Sequence, residues 1–364
     1  MPVPLVDVRA QYAPLLEELR ARMLEVVDSG RFILGPNVAA FEREASDYLG
    51  VAETVGVANG TDALVLALEA VGVAPGDDVI CPSFTFYATA EAIARVGATP
   101  VFCDIEASTL NLDPAHVAEL VTERTSAIVA VHLFGRPVDL GTLPAGIPVI
   151  EDAAQAFGAG TPGARAGAGG DASTFSFFPT KNLFCLGDGG LVATSDPELA
   201  DRVRMLRFHG SRDKETFELI GYNSRLDELQ AAALRLFLEH IDSWNRARRD
   251  AAARYRDLGL GNHCELPNDE PGHVYHMYVV RSSERDTIAQ ILNEGGIAAR
   301  GYYATPLHLQ PVFAPLGLGP GSLPETERAA AENLALPIWA GVSQEQQEQV
   351  VSAVARALEK APVA

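Results

Sequence analysis

Positive charge is scarce in this 364-residue sequence: 28 lysines and arginines stand against 48 aspartates and glutamates, giving a formal net charge of −20. This imbalance argues against nucleic acid or an anionic membrane as a partner over a broad surface, because both repel a negatively charged protein. The sequence also lacks any run approaching the roughly 20 apolar residues of a membrane-spanning helix. Its N-terminus has no basic start followed by an apolar core. We therefore expect a cytoplasmic protein that binds any anionic ligand in a local pocket.

Cysteine is scarce as well. The four cysteines stand far apart, without CxxC spacing, at Cys81, Cys103, Cys185 and Cys264. This distribution indicates neither a disulfide framework nor a zinc site. We expect reduced, mostly buried thiols and no bound metal.

Lysine is the rarest basic residue, with three among the 28. Lys214 lies in a charged stretch and Lys360 in a predicted C-terminal helix, so both are expected on the surface. Lys181 follows the apolar run 175–180, and a desolvated setting would lower the pKa of its amine and make it nucleophilic. Arginine could not replace it, because the guanidinium keeps its proton. The alternative is a structural lysine paired with a carboxylate.

Short β-branched apolar runs alternate with amphipathic stretches through the first half of the chain. Strands are predicted at 54–57, 78–81, 99–102, 126–131, 148–150, 172–177 and 190–193. Helices are predicted at 12–28, 37–49, 61–70, 85–96, 114–121 and 197–208, and one long helix or two joined helices at 225–258. This alternation predicts an α/β fold with a mostly parallel central sheet flanked by helices.

A smaller C-terminal α/β domain is predicted after a segment rich in proline and glycine, at 259–272. Its elements are a strand at 274–280 and helices at 285–294 and 343–360. We assign 1–245 to the large domain and 246–364 to the small one. The N-terminal segment of about 30 residues is a candidate to pack with the small domain.

Two further segments have the chemistry of a ligand site. Asn59 and Gly60 precede a predicted helix whose free N–H groups could bind a phosphate, with the Thr61 hydroxyl assisting. An ordinary N-cap is the alternative there. Another strand ends at Glu151 and Asp152, and ligands bind at the C-terminal ends of parallel strands. Asp152 could equally cap a helix.

Aromatic side chains follow a third strand end, where Phe84 or Phe86 could stack on a flat ring or pack in the core. The segment 158–170 contains three glycines that formally match GxGxxG, but Pro162 lies within the match and no amphipathic helix follows. We therefore interpret this segment as a mobile surface loop and not as a dinucleotide site.

One cofactor requires all of these parts. Pyridoxal phosphate needs a Schiff-base lysine, a carboxylate facing its pyridine nitrogen, a phosphate-binding cup and a surface for its ring. The informative segments are SGRFILGP (29–36), GTDAL (60–64), PGDDVI (75–80), PSFTF (82–86), EDAAQ (151–155), FSF (175–177), PTKNL (179–183), GDGG (187–190), NSRLDE (223–228) and PLHLQ (306–310). In order and spacing they resemble the DegT/StrS-type sugar aminotransferases, pyridoxal phosphate enzymes of fold type I, from about Val6 to the C-terminal region.

The resemblance implies a role for each residue of the cofactor site. Lys181 would form the Schiff base and move the proton between the substrate carbon and the cofactor carbon. Asp152 would face the pyridine nitrogen, Gln155 the ring oxygen, and Phe86, in preference to Phe84, the face of the ring. The implied cofactor-binding set is Gly60, Thr61, Asp62, Phe86, Asp152, Gln155, Ser176, Lys181 and Asn223.

Within that set, the phosphate is expected to meet Gly60, Thr61 and Ser176 of its own chain, with Asp62 close by. Asn223 matches the family asparagine that reaches the phosphate from the neighbouring subunit. The resemblance therefore implies a homodimer with two shared active sites.

The implied reaction has two halves. Glutamate converts the cofactor to pyridoxamine phosphate, which then aminates a ketone of a nucleotide-linked sugar. We expect a dTDP-linked 4-keto-6-deoxy sugar, because the segment 300–303 resembles members that act at C4 more than those that act at C3. The diphosphate would lie between subunits, where Arg31 or Arg207 could supply positive charge.

The candidate sugar-binding residues are Tyr302, Tyr303 and His308, although His308 could merely pack. Many family members read His-Tyr-Pro-x-Pro-Leu-His here, whereas this chain has Tyr-Tyr-Ala-Thr-Pro-Leu-His at 302–308. A 3-keto sugar nucleotide and a cyclitol or other carbocycle therefore stay open as substrates. Lys181 argues against a related dehydratase, which has histidine there, and the intact site argues against a non-catalytic regulator. A nicotinamide-dependent oxidoreductase would rest on the glycines of 158–170 alone.

Overall fold

The computed structural model describes residues 2–161 and 163–360. Pro162 and the side chain of Lys360, which both entered the sequence analysis, lie outside the described part. The α-helices are α1 (Val8–Tyr12), α2 (Leu16–Ser29), α3 (Pro36–Leu49), α4 (Gly60–Ala70), α5 (Ala88–Arg95), α6 (Pro114–Leu120), α7 (Pro197–Leu206), α8 (Glu228–Leu238), α9 (Ile241–Asp257), α10 (Arg285–Glu294), α11 (Pro324–Glu332) and α12 (Gln344–Lys360). The strands are β1 (Glu53–Val57), β2 (Asp78–Pro82), β3 (Thr99–Cys103), β4 (Thr125–Val131), β5 (Val149–Asp152), β6 (Gly160–Thr161), β7 (Ala164–Arg165), β8 (Ala172–Ser176), β9 (Gly190–Thr194), β10 (Tyr278–Arg281) and β11 (Asn333–Leu336). Short 3-10 helices lie at Ala13–Leu15, Leu133–Gly135, Leu140–Thr142, Leu260–Asn262, Leu307–Leu309 and Pro311–Leu316.

The predicted α/β fold with a mostly parallel central sheet is confirmed. Seven strands form one sheet in the order β1-β9-β8-β5-β4-β2-β3. The ladders from β8 through β5, β4 and β2 to β3 are parallel, whereas β9 runs antiparallel to both β8 and β1. Helix α5 makes the crossover from β2 to β3, whereas the connection from β4 to β5 contains two 3-10 helices and that from β5 to β8 contains the β6–β7 hairpin.

Helices cover both faces of this sheet, because its strands have buried apolar side chains on both faces. In β9, Val192 faces the core that contains α4 and α5, while Leu191 and Ala193 face the core that contains α3 and α8. Side chains of successive strand residues point to opposite faces. Both sets are fully buried, which explains why the strands appear in the sequence as continuous apolar runs.

The predicted long helical stretch at 225–258 is two helices. Helix α8 ends at Leu238 and α9 begins at Ile241. The N-terminal half of α9 packs through Ile241 and Trp244 in the core beneath the sheet, and its C-terminal half packs through Tyr255 in the C-terminal core. The boundary drawn at 245/246 therefore falls inside a helix that belongs to both cores.

The C-terminal unit has its own hydrophobic core, built from α9, α10, α12 and the antiparallel pair β10–β11. Val3 joins this core and pairs with Ile297, whereas Leu19 of α2 packs beneath the sheet. The N-terminal segment is thus divided between the two cores. The segment around Leu307 and Phe313, although it follows β10 in the chain, packs on the large core.

The glycine-rich segment 158–170 contains the small hairpin β6–β7. The next element after it is strand β8 and not a helix, in agreement with its interpretation as a loop and not as a dinucleotide site. Glu151 accepts hydrogen bonds from the backbone N–H groups of Gly167, Gly169 and Gly170. One buried carboxylate thus anchors the end of this loop to the sheet.

Candidate active site

A cavity of about 820 Å³ lies at the edge of the sheet where β5 and β8 end and α4 begins. Cavities that hold small ligands usually measure about 300–1,000 Å³. Ten of the twelve residues expected from the sequence line it: Gly60, Thr61, Asp62, Phe86, Asp152, Gln155, Ser176, Lys181, Tyr302 and Tyr303. The residues expected to act together are thus brought together by the fold.

The N-terminus of α4 forms one wall of the cavity and suits an anion. The Asn59 side chain caps the helix by accepting a hydrogen bond from the Asp62 N–H at 2.8 Å. In the described structure no hydrogen bond takes the N–H groups of Gly60 and Thr61, which line the cavity. A Cβ at position 60 would lie 2.6 Å from the Cβ of Ser176, so glycine is needed there. Helix N-termini of this kind bind phosphate groups.

Asp152 ends strand β5 with its carboxylate almost fully buried at the cavity wall. Its Oδ2 accepts a hydrogen bond from the Thr89 hydroxyl at 2.8 Å, and its Oδ1 accepts one from the Ala154 N–H at 3.2 Å. Burial raises the pKa of this carboxyl above its ordinary value, and the two donors and the nearby Lys181 counteract part of that effect. Such a carboxylate can hold a protonated ring nitrogen.

The amine of Lys181 faces the same cavity. Burial lowers its pKa to about 8, although the Asp152 carboxylate acts in the opposite direction. Within residues 2–161 and 163–360, burial and the charge of Asp152 act on the Lys181 amine, and no hydrogen bond or ion pair occupies it. The structural alternative, a lysine paired with a carboxylate, is therefore disfavoured, and a nucleophilic amine is favoured.

A turn and two asparagines fix the backbone beside this lysine. The Lys181 N–H bonds the Phe178 carbonyl at 2.8 Å. The next residue, Asn182, donates to Asn245 of α9 at 2.8 Å and to the Val274 carbonyl at 3.0 Å. The backbone next to the lysine is thus fixed to the N-terminal half of α9 and to Val274, a residue of the core beneath the sheet.

Aromatic rings close the cavity on the opposite side. Phe86 is about half exposed and lies 5.9 Å from Tyr303 between ring centroids, whereas Phe84 is fully buried and packs against Phe134. This geometry favours Phe86 over Phe84 as the residue that meets a ring. Gln155 donates to the Tyr303 hydroxyl at 3.0 Å and accepts from the Phe134 N–H at 2.7 Å, so its amide is held in one orientation.

Asn223 and His308 do not line this cavity. Asn223 is exposed and pairs through its backbone with Phe208. His308 is buried, and both of its ring nitrogens are engaged, Nδ1 with the Ser83 hydroxyl at 2.7 Å and Nε2 with Glu327 at 3.3 Å. The contacts of His308 within this chain are thus with Ser83 and Glu327, outside the cavity lining.

Arg207 also has a different role from the one expected. Its guanidinium is buried and bonds Glu42 and the Gly56 carbonyl, both at 2.6 Å, so it is not free to hold a diphosphate. Arg31 is exposed and does not line the cavity. Lys214 is exposed, as expected, with its amine over the Phe208 ring.

Several polar residues of the site were not predicted from the sequence, among them Thr85, Thr89 and His276. Thr85 and His276 line the cavity, and Thr89 contacts Asp152 from behind it. Burial lowers the pKa of His276 well below its ordinary value, so the ring is neutral. The available sequence signal for the threonines was their spacing of four residues directly after a strand end. The sequence around His276 has no feature that would have indicated a site residue.

Acidic side chains outnumber basic ones around the cavity. The charged residues that line it are Asp62, Glu91, Arg95, Asp152, Lys181 and Asp188. Backbone N–H groups and the helix dipole must therefore supply much of the attraction for a phosphate.

None of the helices in the described part of the chain is long and apolar enough to span a membrane.

These parts fit pyridoxal phosphate. An unoccupied amine, a buried carboxylate across the cavity, an anion-binding helix N-terminus and an aromatic wall match the four groups of that cofactor. The Ser176 hydroxyl lies beside the helix N-terminus, where it can add a donor to the phosphate cup.

Comparisons with known proteins agree with this fit. The family model of the DegT/DnrJ/EryC1/StrS aminotransferase family matches residues 15–355. The chain is 47% identical to a pleiotropic regulatory protein of Geobacillus stearothermophilus, over 98% of each chain. It is 44% identical to the dTDP-3-amino-3,4,6-trideoxy-alpha-D-glucose transaminase of Streptomyces venezuelae, over 97% of this chain and 95% of the other.

Solved structures give the same result. DesV of S. venezuelae, in complex with a ketimine intermediate, superposes with a TM-score of 0.94 and 44% identity, over 99% of this chain and 100% of the other. NtdA of Bacillus subtilis, with bound pyridoxamine phosphate, superposes with a TM-score of 0.88 and 31% identity, over 95% and 82%. The chain belongs to the DegT/DnrJ/EryC1/StrS aminotransferase family, whose cofactor is pyridoxal phosphate.

Proposed function

We propose that this chain transfers an amino group from glutamate to a keto group of a nucleotide-linked sugar. The observation that carries this proposal is the unoccupied Lys181 amine facing the buried Asp152 carboxylate in one cavity. Family membership supports the reaction class, and the dTDP-sugar transaminase among the relatives supports the substrate class.

When bound, pyridoxal phosphate supplies an electron sink for a carbanion at the substrate carbon. In our proposal Lys181 holds the cofactor through its amine and then carries the proton to and from that carbon. Asp152 keeps the proton on the ring nitrogen, because an adjacent negative charge favours the protonated form. Gly60, Thr61 and Ser176 bind the phosphate, and Phe86 covers the ring.

Two observations favour different positions for the keto group of the sugar. The segment 300–303 favours a 4-keto-6-deoxy sugar, as expected from the sequence. The S. venezuelae relative is named for a 3-amino product, which favours C3 at 44% identity over nearly the whole chain. We give C3 the greater weight, because full-length similarity covers more of the sugar pocket than four residues do. Tyr302 and Tyr303 are the own-chain residues that we propose to contact the sugar.

We also propose a homodimer with shared sites. Asn223 is exposed and outside the cavity of its own chain, as a residue that serves a neighbouring subunit must be. The acidic surplus around the cavity adds a reason for polar groups to come from a second copy. A closed two-fold arrangement would place each Asn223 at the other site.

The experiment is an absorption spectrum of protein incubated with pyridoxal phosphate, before and after glutamate, for wild type, Lys181→Ala and the surface control Lys214→Ala. We expect wild type and the control to show a visible band that glutamate removes, and Lys181→Ala to show no band of a lysine-bound cofactor. Adding dTDP-linked 3-keto or 4-keto sugars to the amine form would then restore the band with the true substrate. A wild-type protein without any visible band would contradict the aminotransferase proposal and favour a regulatory protein, as the name of the G. stearothermophilus relative suggests for that protein.

A further inference from the structure

Two buried threonines stand behind the Asp152 carboxylate. Thr89, the second residue of α5, is 1% exposed, and its hydroxyl lies 2.8 Å from Asp152 Oδ2. Thr85, at the start of the turn into α5, is 2% exposed, and its hydroxyl lies 3.3 Å from that of Thr89. The three side chains form one hydrogen-bonded row that ends at the carboxylate.

The direction of these hydrogen bonds follows from the chemistry of the acceptor. An ionised carboxylate can only accept, so the Thr89 hydroxyl donates its proton to Asp152. The oxygen of Thr89 is then free to accept, and the Thr85 hydroxyl donates to it. Each donor in the row strengthens the next, because a polarised hydroxyl is a better donor.

The titratable groups around Asp152 do not replace this donor. Lys181 and Tyr303 face the carboxylate across the cavity, and Tyr303 bonds Gln155. His132 lies behind the strand with its Nε2 on Glu151. Cys81, on the neighbouring strand β2, is buried with a raised pKa and is a weak donor. In the described structure the donors to Asp152 are Thr89 and the Ala154 N–H.

We propose that Thr89 is a positioning residue for the aminotransferase reaction: its hydroxyl holds the Asp152 carboxylate in one plane and stabilises its charge, so that the carboxylate can keep the cofactor's ring nitrogen protonated. The proposal rests on the proposed function. Thr85 supports Thr89 in turn. Backbone geometry alone cannot do this, because the Ala154 N–H reaches only the other carboxylate oxygen.

The test compares Thr89→Val, which replaces the hydroxyl by a methyl of similar size, with Thr89→Ser, which keeps the hydroxyl. Thr54→Val is the matched control, because Thr54 is a 2% exposed threonine of β1 whose hydroxyl bonds the Glu42 carbonyl, away from the cavity. All are studied with bound pyridoxal phosphate. The readouts are the pH titration of the visible absorption band, cofactor affinity, kcat, and KM for the nucleotide sugar.

Thr89→Val should reduce kcat about tenfold or more, as expected for losing a hydrogen bond to a charged group, with KM changed less than about twofold. Its absorption band should titrate at higher pH than that of wild type. The reason is electrostatic. When the ring nitrogen is less fully protonated, the ring carries less positive charge, and the nitrogen that joins Lys181 to the cofactor then keeps its proton to higher pH. Thr89→Ser should restore both quantities, and Thr54→Val should alter neither.

Unchanged titration and kcat in a folded Thr89→Val would overturn the proposal. If that variant does not fold, Thr89→Ser and an additional Thr89→Ala variant decide, since equal defects in kcat and titration in both would assign the role to the methyl group and overturn the proposal. These outcomes are distinct from a failure of the proposed function, in which wild type itself would show no cofactor band.

Discussion

Neighbouring acids at the end of β5 have opposite environments. Asp152 faces the cavity, while Glu151 points to the other side of the strand and accepts from His132, Ser173 and backbone N–H groups. Burial alone would raise the pKa of Glu151, but the hydrogen bond and charge of His132 and those N–H groups lower it to about 2. The sequence places both acids at a strand end, and strand alternation alone separates the anchoring acid from the cofactor acid.

The reactivity of Lys181 should depend on pH in a defined way. Its pKa is lowered from 10.5 to about 8, so the neutral amine that attacks an aldehyde predominates above that pH. We expect the rate of pyridoxal phosphate capture by cofactor-free protein to rise with pH and to level off above about 8. Stopped-flow absorbance between pH 6 and 10 measures this rate.

Asp152→Asn provides the control for this profile. Asp152 raises the pKa of Lys181 through its charge, so removing the charge should move the midpoint to lower pH. A wild-type profile that still rises steeply at pH 10 would show that the amine is not desolvated as the structure indicates.

At the scale of elements, the strands that are buried on both faces were predictable, and those whose formation depends on a partner were not. β4 contains isoleucine and valines that have strong strand preference, and its prediction at 126–131 is close to Thr125–Val131. β11 has the sequence Asn-Leu-Ala-Leu, which favours a helix, and it is a strand because it pairs with β10. The break between α8 and α9, at residues 239–240, contains no proline or glycine. The sequence therefore could not distinguish one long helix from two joined helices.

The segment that carries Tyr302 and Tyr303 depends on a buried network. Ser83, after β2, accepts from the His308 N–H at 3.0 Å and bonds its Nδ1, and Glu327 of α11 bonds its Nε2. Because an ionised carboxylate can only accept, Nε2 donates to Glu327, and in the neutral ring Nδ1 then accepts from the Ser83 hydroxyl. Each polar atom of the ring is therefore satisfied without a ligand.

Breaking this network should destabilise the protein. We expect His308→Ala and Ser83→Ala each to lower the free energy of unfolding by about 1–3 kcal/mol, the cost of leaving a buried polar partner unsatisfied. The double variant should cost clearly less than the sum, because both changes remove the same interaction. Urea unfolding of the four proteins measures the coupling. Strictly additive losses would mean that the two residues act independently.

At the scale of the whole molecule, the resemblance predicted the fold, the cofactor and the residues that line the cavity. The positions of His308 and Arg207 were not predictable, because a motif gives residue order and not which groups are already satisfied by neighbours. The contribution that we propose for a second copy also lies beyond one chain's contacts. Asn223 is the example, because it is exposed and does not line the cavity of its own chain.

A mixing experiment tests the shared site. Lys181→Ala and Asn223→Ala are each expected to be impaired alone. If Asn223 acts on the partner's site, a mixed dimer has one site with an intact Lys181 and an intact asparagine from the other chain. Refolding the two variants together in equal amounts should therefore recover about a quarter of wild-type activity, as random pairing in a two-fold dimer gives. Activity that stays at the sum of the two separate variants would place Asn223 and Lys181 in the same chain's site, or would mean a monomer.

Helix α9 is seated in both hydrophobic cores, and its Asn245 is bonded to Asn182, the residue after the lysine. This helix of 17 residues is continuous, and it is packed in one core near its N-terminus and in the other near its C-terminus. The backbone beside the reactive amine is therefore connected through one helix to the C-terminal unit, and strand β11 of that unit also holds the Tyr302 backbone through Asn333.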